Sequence, residues 1–231
     1  VIGLRPGNRV VVHSSLRAVG LAAAELIDQL LDAVGPQGLV AMPTFTYDNE
    51  TFSADTPSRT GALTEVFRMR PDALRSLHPT YSIAAVGEGA AALLDGHERT
   101  GATAVDSPLD RLASAGGFVL LLGVGHTANT TAHVGEFHAD APYLDIPFDP
   151  DWPTHGFDLF PGCSRGFGIL ERPLRERSAI RDGKVGGALA QLMPGAAVID
   201  ATVALLRQDP AALLCTDSDC YRCSRARERL S

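Results

Sequence analysis

The chain has no apolar run approaching the ~20 residues needed to span a bilayer as a helix, so no membrane partner is expected. Its first ten residues, VIGLRPGNRV, carry neither the basic nor the apolar region of a secretory leader, and the default expectation is a cytoplasmic protein. They lead almost directly into a strand-like segment, which suggests that a preceding helix has been trimmed or was never there. Positive charge is also in short supply. Basic residues number 20 against 27 acidic ones, a net charge of −7, and the one basic cluster is the tail RCSRARERLS at 222–231. Phosphate contacts need clustered Lys and Arg, so nucleic acid is excluded as a partner and a neutral or cationic small molecule fits better. Internal repeats and low-complexity tracts are absent.

Cysteine is scarce, and its four residues all fall in the last third: Cys163, Cys215, Cys220 and Cys223. Paired disulfides are not expected in a reducing compartment. Two readings stay open. The thiols are reduced structural or surface groups, or they close an all-cysteine zinc site, provided that the loop carrying Cys163 returns to the tail. Against zinc, the C-x4-C spacing before Cys220 is wider than a two-residue zinc knuckle. No metal is assigned to the catalytic centre.

What is present is a globular α/β pattern. The 231 residues suffice for one substantial core, and 45% apolar with 20% charged residues is the balance of a chain that folds. NRVVVHSSL (8–16) and GLVAMPTF (38–45) read as buried strands flanking the amphipathic helix LAAAELIDQLLDAV (21–34), a βαβ unit with a parallel pair. ALTEVFRMR, EGAAALLDG and SPLDRLASAGG read as helices, the last with Ser107 as N-cap and Pro108 at the first helical position. Residues 82–86 and FVLLLGVG read as strands, GFGILERPL as a strand re-entering the sheet, and VGGALAQLM with AVIDATVALLRQDPAALL as closing helices. The expected organisation is a single domain over 1–231, with an irregular Pro-, Asp- and aromatic-rich loop at about 140–166 on the substrate side.

The stretch TTAHVGEFHAD (130–140) follows the most apolar strand, where open α/β sheets place ligands, and sets His133 three residues before Glu136. As a zinc motif it fails, because the second histidine, His138, is displaced by one position from H-x-x-E-H and the glycine weakens the helix. A serine nucleophile at Ser14 or Ser15 lacks the flanking glycines of a strained elbow, and HSS suits a phosphate or a helix cap instead. A His held by a carboxylate can instead take a proton from an amine attacking an acyl carbon; a surface His and Glu is the simpler alternative. His97 reads as solvated, His13 and His78 as loop anchors, and His155 as a substrate contact or a turn cap, while His126 is near enough in sequence to share a cleft with His133.

Six segments in order, VVHSSL, GLVAMPTFTYDN, RSLHPTYSIAAVG, SPLDRL, GFVLLLGVG and NTTAHVGE, together resemble the aminoglycoside N3-acetyltransferase family, with later likeness in GILERPL and KVGGALAQLM. The resemblance implies an α/β acyltransferase fold distinct from the GNAT fold, three-layer-like around a mixed, largely parallel sheet. It implies acetyl-CoA as cosubstrate, a small-molecule amine as partner, an antibiotic-resistance role and a monomer or homodimer. It casts His133 as general base, supported by Thr130, with Glu171 as the preferred acidic partner and Glu136 in a supporting position. His13, Ser14, Ser15 and Leu16 would contact CoA, and His78, Thr80, Ser82 and Ser107 would line its cleft. Tyr47, in place of a usual tryptophan, with Asp48 and Asn49 would lie beside the amine.

The chain departs from drug-modifying members in its short length, its loop at 140–166 and its cysteine tail. A polycationic sugar needs an acidic pocket, which Asp140, Asp145, Asp149, Asp151 and Asp158 are placed to supply unless they are solvated loop charges. A biosynthetic acyltransferase acting on another amine, and a CoA-binding interaction protein without catalysis, remain the alternatives.

Overall fold

A computed structural model describes residues 2–47, 52–147, 151 and 159–231. In chain order the elements are β1 (Arg9–Ser14), α1 (Leu16–Val19), α2 (Ala23–Val34), β2 (Leu39–Pro43), α3 (Ala62–Arg68), β3 (Leu74–Arg75) and β4 (Ile83–Gly87). They continue as α4 (Ala90–Leu94), α5 (Pro108–Ser114), β5 (Phe118–Leu122), α6 (Thr131–His138), α7 (Glu171–Glu176), β6 (Arg181–Val185), β7 (Ala188–Pro194), α8 (Gly195–Gln208) and α9 (Tyr221–Leu230).

The seven strands form one mixed sheet in the order β3-β4-β2-β1-β5-β7-β6. Only the centre is parallel: β1 pairs with β2 on one side and β5 on the other, while both flanks run antiparallel. The expectation of a largely parallel sheet therefore holds for the core trio alone. Strand alternation divides the apolar side chains into two layers. Val11, Leu39, Ala41, Ile83, Val119 and Leu121 face α4, α5, α6 and α8. Val10, Val12, Val40, Met42, Leu120 and Leu122 face α2 and α3. Helix α2 shows why such a segment docks. Leu26, Ile27, Leu30 and Val34 fall on one face and are all buried, each contributing about 1.5–3 kcal/mol by leaving water. Among the described residues no helix is long and apolar enough to cross a membrane.

Two expected elements are overturned. VGGALAQLM is not a helix: Val185 pairs with Ala188 across Gly186 and Gly187, and the rest is β7. Gly186 has φ 55°, so the pair forms a tight two-residue hairpin turn that only glycine enters without strain. GFGILERPL is not a strand. Ser164–Leu170 is a 3-10 turn that runs into α7, burying Phe167 and Leu170 beneath it. Of the last segment, AVIDATVALLRQ is helical as expected, within α8, whereas residues 209–214 after Asp209 are turn rather than helix.

The glycine expected to weaken the His133 helix has a packing reason. A Cβ on Gly135 would lie 2.4 Å from Thr202 Cβ and 3.1 Å from the Ile199 carbonyl oxygen, so its absence lets α6 rest directly on α8. Gly135→Ala is expected to cost about 1–3 kcal/mol through this overlap, despite the better helix propensity of Ala. Urea denaturation checks this; an unchanged or raised midpoint would mean that α8 yields freely.

Two interior histidines make the fold acid-sensitive. Burial pushes His13 down to about 4. Burial also pushes His97 down to about 4, helped by Arg111 and opposed by the Ala102 carbonyl and Glu98. The His97 ring is held neutral: Nε2 donates to Ala102 O at 3.0 Å and Nδ1 meets Ser76 Oγ at 2.8 Å. Between pH 6.5 and 4 the unfolded chain binds protons at these rings and the folded chain does not. Their stabilisation is thus complete above 6.5 and is lost as pH falls toward 4, by up to about 3 kcal/mol each. Melting temperature should drop through that window, and His97→Asn should flatten the slope; equal slopes would count against it.

Candidate active site

A cavity of about 550 Å³ opens at the C-terminal ends of β1 and β2. It lies where β1 sends its next strand to one side and receives β5 on the other, the point at which neighbouring loops diverge and leave a crevice. It is lined by Val12, His13 and Ser14 of β1, by Pro43, Phe45, Tyr47 and Tyr81, and by Thr130, His133, Gly162 and Ser164.

Helix α6 carries the candidate base His133 and its acidic neighbour Glu136. His133 and Glu136 are one turn apart, so their side chains meet on one helix face, with Nδ1 and Oε2 separated by 2.6 Å. Three donors converge on the buried Glu136 carboxylate. These are the ring Nδ1–H and the Gly162 amide (3.2 Å) on Oε2, and the Tyr143 hydroxyl (3.1 Å) on Oε1. The Gly162 amide is also 3.1 Å from Nδ1. An Nδ1 that donates to a carboxylate has no lone pair to accept with, so the amide belongs to Glu136 and the ring is the Nδ1–H tautomer. Burial, reinforced by the neighbouring carboxylate, pushes the Tyr143 phenol upward and keeps it a donor. The Phe167 ring packs on the imidazole at 4.7 Å between centroids. With Nδ1 engaged, Nε2 is the nitrogen left for the cavity.

Glu171 is not the partner of His133. It sits on α7, where Arg175 Nε (2.6 Å) and Gln191 Nε2 (3.0 Å) donate to Oε1, and its Oε2 lies 3.1 Å from Nε2 of His126. That last contact is close but misaligned for a hydrogen bond. Burial lowers the His126 pKa, helped by Arg175 and opposed by the Glu171 carboxylate. The error had a physical source: sequence order cannot tell which of two histidines, His126 or His133, a distant acid will reach.

The expected CoA-contacting residues divide. His13 and Ser14 line the cavity. Ser15 and Leu16 begin α1 beside it, with Ser15 capping the helix by accepting from Ala18 N at 3.4 Å. His78, Thr80, Ser82 and Ser107 are buried and do not line the cavity. His78 Nδ1 accepts from Tyr81 N at 3.0 Å, and Ser82 Oγ donates to Thr44 O while accepting from Arg75 Nε. His78 Nδ1 and Ser82 Oγ are thus engaged by protein groups rather than open to a ligand. Ser107 occupies the N-cap position of α5 without a side-chain bond. Thr130 lines the cavity and accepts the His133 amide at its carbonyl, 3.0 Å.

Tyr47 lines the cavity with its backbone in the left-handed region, φ 55°, a conformation disfavoured for a bulky residue and met where a side chain must be aimed. Its ring joins Phe45 and Tyr81 in an edge-on trio with centroids 4.8–5.9 Å apart. Asp48, Asn49, Asp149, His155 and Asp158 lie outside the described residues. Asp145 does not serve the cavity, because it pairs with Arg229 of the tail. Among the described lining residues there is no carboxylate, and the one guanidinium is Arg59.

Sequence reasoning missed Tyr143, Gly162, Arg59 and Arg222. Gly162 has no room for a side chain, since a Cβ would lie 2.6 Å from Glu136 Oε1. Arg222 of α9 is 1% exposed and donates to the carbonyls of Tyr143, Ile146 and Phe160, pinning the loop that brings Tyr143 and Gly162 to Glu136. A fully buried arginine leaves no local pattern in a tail that reads as surface charge.

A sequence model of the family described as aminoglycoside 3-N-acetyltransferase matches residues 11–207. Aminoglycoside N(3)-acetyltransferase IV of Salmonella sp is 32% identical, over 92% of this chain and 86% of its own length. A point mutant of aminoglycoside acetyltransferase AAC(3)-IVa, crystallised with gentamicin, superposes with TM-score 0.88 at 31% identity, covering 98% of this chain and 92% of its own. AAC-IIIb in its binary complex with CoASH gives TM-score 0.77 at 25% identity, over 90% and 92% of the two chains.

Proposed function

Because the chain belongs to the aminoglycoside 3-N-acetyltransferase family, we propose that it moves the acetyl group of acetyl-CoA to an amine of an aminoglycoside, with His133 as general base. The observation that carries the role of His133 is the 2.6 Å bond from its Nδ1 to buried Glu136, with Nε2 left for the cavity. An aminoglycoside amine is mostly protonated at neutral pH, and a protonated amine is no nucleophile. Nε2 takes the proton, and the charge that develops on the ring lies against the Glu136 carboxylate. Glu136 is a positioning residue: it fixes the tautomer and ring orientation and favours the imidazolium without touching substrate.

Acetyl-CoA supplies the activated thioester carbonyl, and direct attack by the amine needs no covalent enzyme adduct. The cavity suits such a ligand. Among the described residues His13 Nε2 is buried there without a partner, Ser14 and Thr60 bring hydroxyls, Arg59 brings positive charge to the lining, and Val12, Pro43 and Phe45 give it apolar surface. The amine side is assigned to the aromatic trio, whose ring faces attract a cation, with Asp48 and Asn49 following Tyr47 in sequence.

The test is thiol release from acetyl-CoA across a panel of amines, with mass spectrometry of each product. Aminoglycosides should release thiol and gain one acetyl group. Acetylation confined to lightly charged amines would move the substrate class to the biosynthetic alternative. No release with any amine, together with no CoA binding by calorimetry, would remove the acyltransferase reading of this cavity.

A further inference from the structure

Outside the reaction centre, the four cysteines converge from three separate pieces of chain. Cys163 comes from the cavity wall, Cys215 from the turn after α8, and Cys220 and Cys223 from the start of α9. All four are buried and none is in a disulfide, and their sulfur atoms all lie within 4.8 Å of one another. A zinc ion bound to four thiolates at about 2.3 Å has a tetrahedral sulfur–sulfur edge of about 3.8 Å. The widest pair needs to close by about 1 Å to take a metal. Two disulfides would instead gather the sulfurs as two close pairs rather than one four-way cluster.

The Arg165 and Asp217 amides, each two residues downstream, lie near the Cys163 and Cys215 sulfurs, and the Cys215 amide lies near the Cys223 sulfur. Such turns place N–H dipoles on sulfur from outside the cluster, as metal-bound thiolates require. An Arg165–Asp217 ion pair joins the two turns. Gly166 lets them approach, since a Cβ there would lie 2.2 Å from the Leu213 carbonyl oxygen. Four thiolates on a divalent ion leave net negative charge. Arg222 sits next to Cys223 in the chain, and Arg227 donates to the Cys215 carbonyl. The family match ends at residue 207, before three of the four cysteines.

We propose that Cys163, Cys215, Cys220 and Cys223 bind one structural Zn²⁺ that fastens the tail helix to the wall of the active site. The ion would act at two places. Cys163 stands between Gly162, whose amide holds Glu136, and Ser164, which lines the cavity. Cys220 and Cys223 bracket Arg222, which ties down the carbonyls of Tyr143, Ile146 and Phe160. The wide C-x4-C spacing that argued against a zinc knuckle is met because Cys215 stands in a turn of its own, ahead of the helix that carries the next two ligands.

The experiment is metal analysis of the full chain purified from zinc-replete cells, and its metal readout does not depend on the acetyl-transfer reading. Wild type and His133→Ala should each hold about one zinc per chain, and Cys215→Ser and Cys223→Ser less than about a tenth of that. In case those variants do not fold, wild type is titrated with a mercurial reagent, which should release zinc in step with the modification of four thiols and lower the melting temperature. Co²⁺ added to the stripped chain should give thiolate-to-cobalt charge transfer and the intense visible bands of tetrahedral cobalt. Zinc-free protein with four freely reactive thiols, two disulfides by mass, or zinc lost with His133 rather than with the cysteines would each overturn the site.

Discussion

Replacing His133 with Ala should lower kcat for acetyl transfer by about 10²–10⁴, the range expected for loss of a positioned proton acceptor. The reason lies in the amine. At neutral pH only a small fraction is unprotonated, and in the proposed mechanism Nε2 takes the proton while Glu136, 2.6 Å from Nδ1, stabilises the charge left on the ring. Without the ring, turnover depends on amine that arrives neutral, so residual activity should climb with pH toward the amine pKa. KM for acetyl-CoA should change little, because the residues assigned to it, such as Ser14 and Arg59, are untouched. Steady-state kinetics across pH decide the matter. A loss below about threefold at neutral pH would show that another group, or solvent, takes the proton.

The second large effect separates two glutamates. Glu136→Gln should reduce kcat by about 10²–10³, whereas Glu171→Gln should stay within about threefold of wild type. A glutamine at 136 keeps the shape but offers one acceptor oxygen where Nδ1–H, Gly162 N–H and Tyr143 O–H all donate. At least one donor then faces an amide N–H in the interior, at a cost of about 1–3 kcal/mol, and the anion opposite the imidazolium is gone. Glu171 is 38% exposed and bonds to Arg175 and Gln191, so its loss is felt at the surface. A merely structural role for Glu136 would lower stability without moving the pH–rate profile; the expected profile shifts because the base loses its carboxylate. The reverse ranking of the two variants would restore Glu171 as partner and refute the assignment from geometry.

Much of the central fold was legible because its signals are local. The β-branched run at residues 10–12, the amphipathic spacing of Leu26, Ile27, Leu30 and Val34, and the apolar FVLLL each dictate an element without help from elsewhere. Where several segments compete for an edge, local pattern fails. VGGALAQLM has the composition of a helix, yet its glycine pair forms a hairpin turn because β5 offers an edge for β7 to pair with. GFGILERPL is apolar enough for a strand, but Phe167 is drawn down onto His133 and the segment coils. The residues expected to contact CoA divided for a similar reason: His78 and Ser82 bond to nearby backbone, whereas His13 and Ser14 at the end of β1 line the cavity.

By itself the sequence determined the family and the parallel core β2-β1-β5, because each depends on residues close together in the chain or on a motif met in order. It also set His133 and Glu136 one helical turn apart, and that spacing makes their contact possible. Only the tertiary structure decided that Glu136, rather than Glu171, receives the ring, because two long-range groups, Tyr143 and Gly162, make the interior at Glu136 hospitable to a carboxylate while α7 carries Glu171 to His126. It decided the cysteines as well. Cys163 lies more than fifty residues from Cys215, and nothing in that interval states that Arg222 and Gly166 will bring the tail back to the cavity wall.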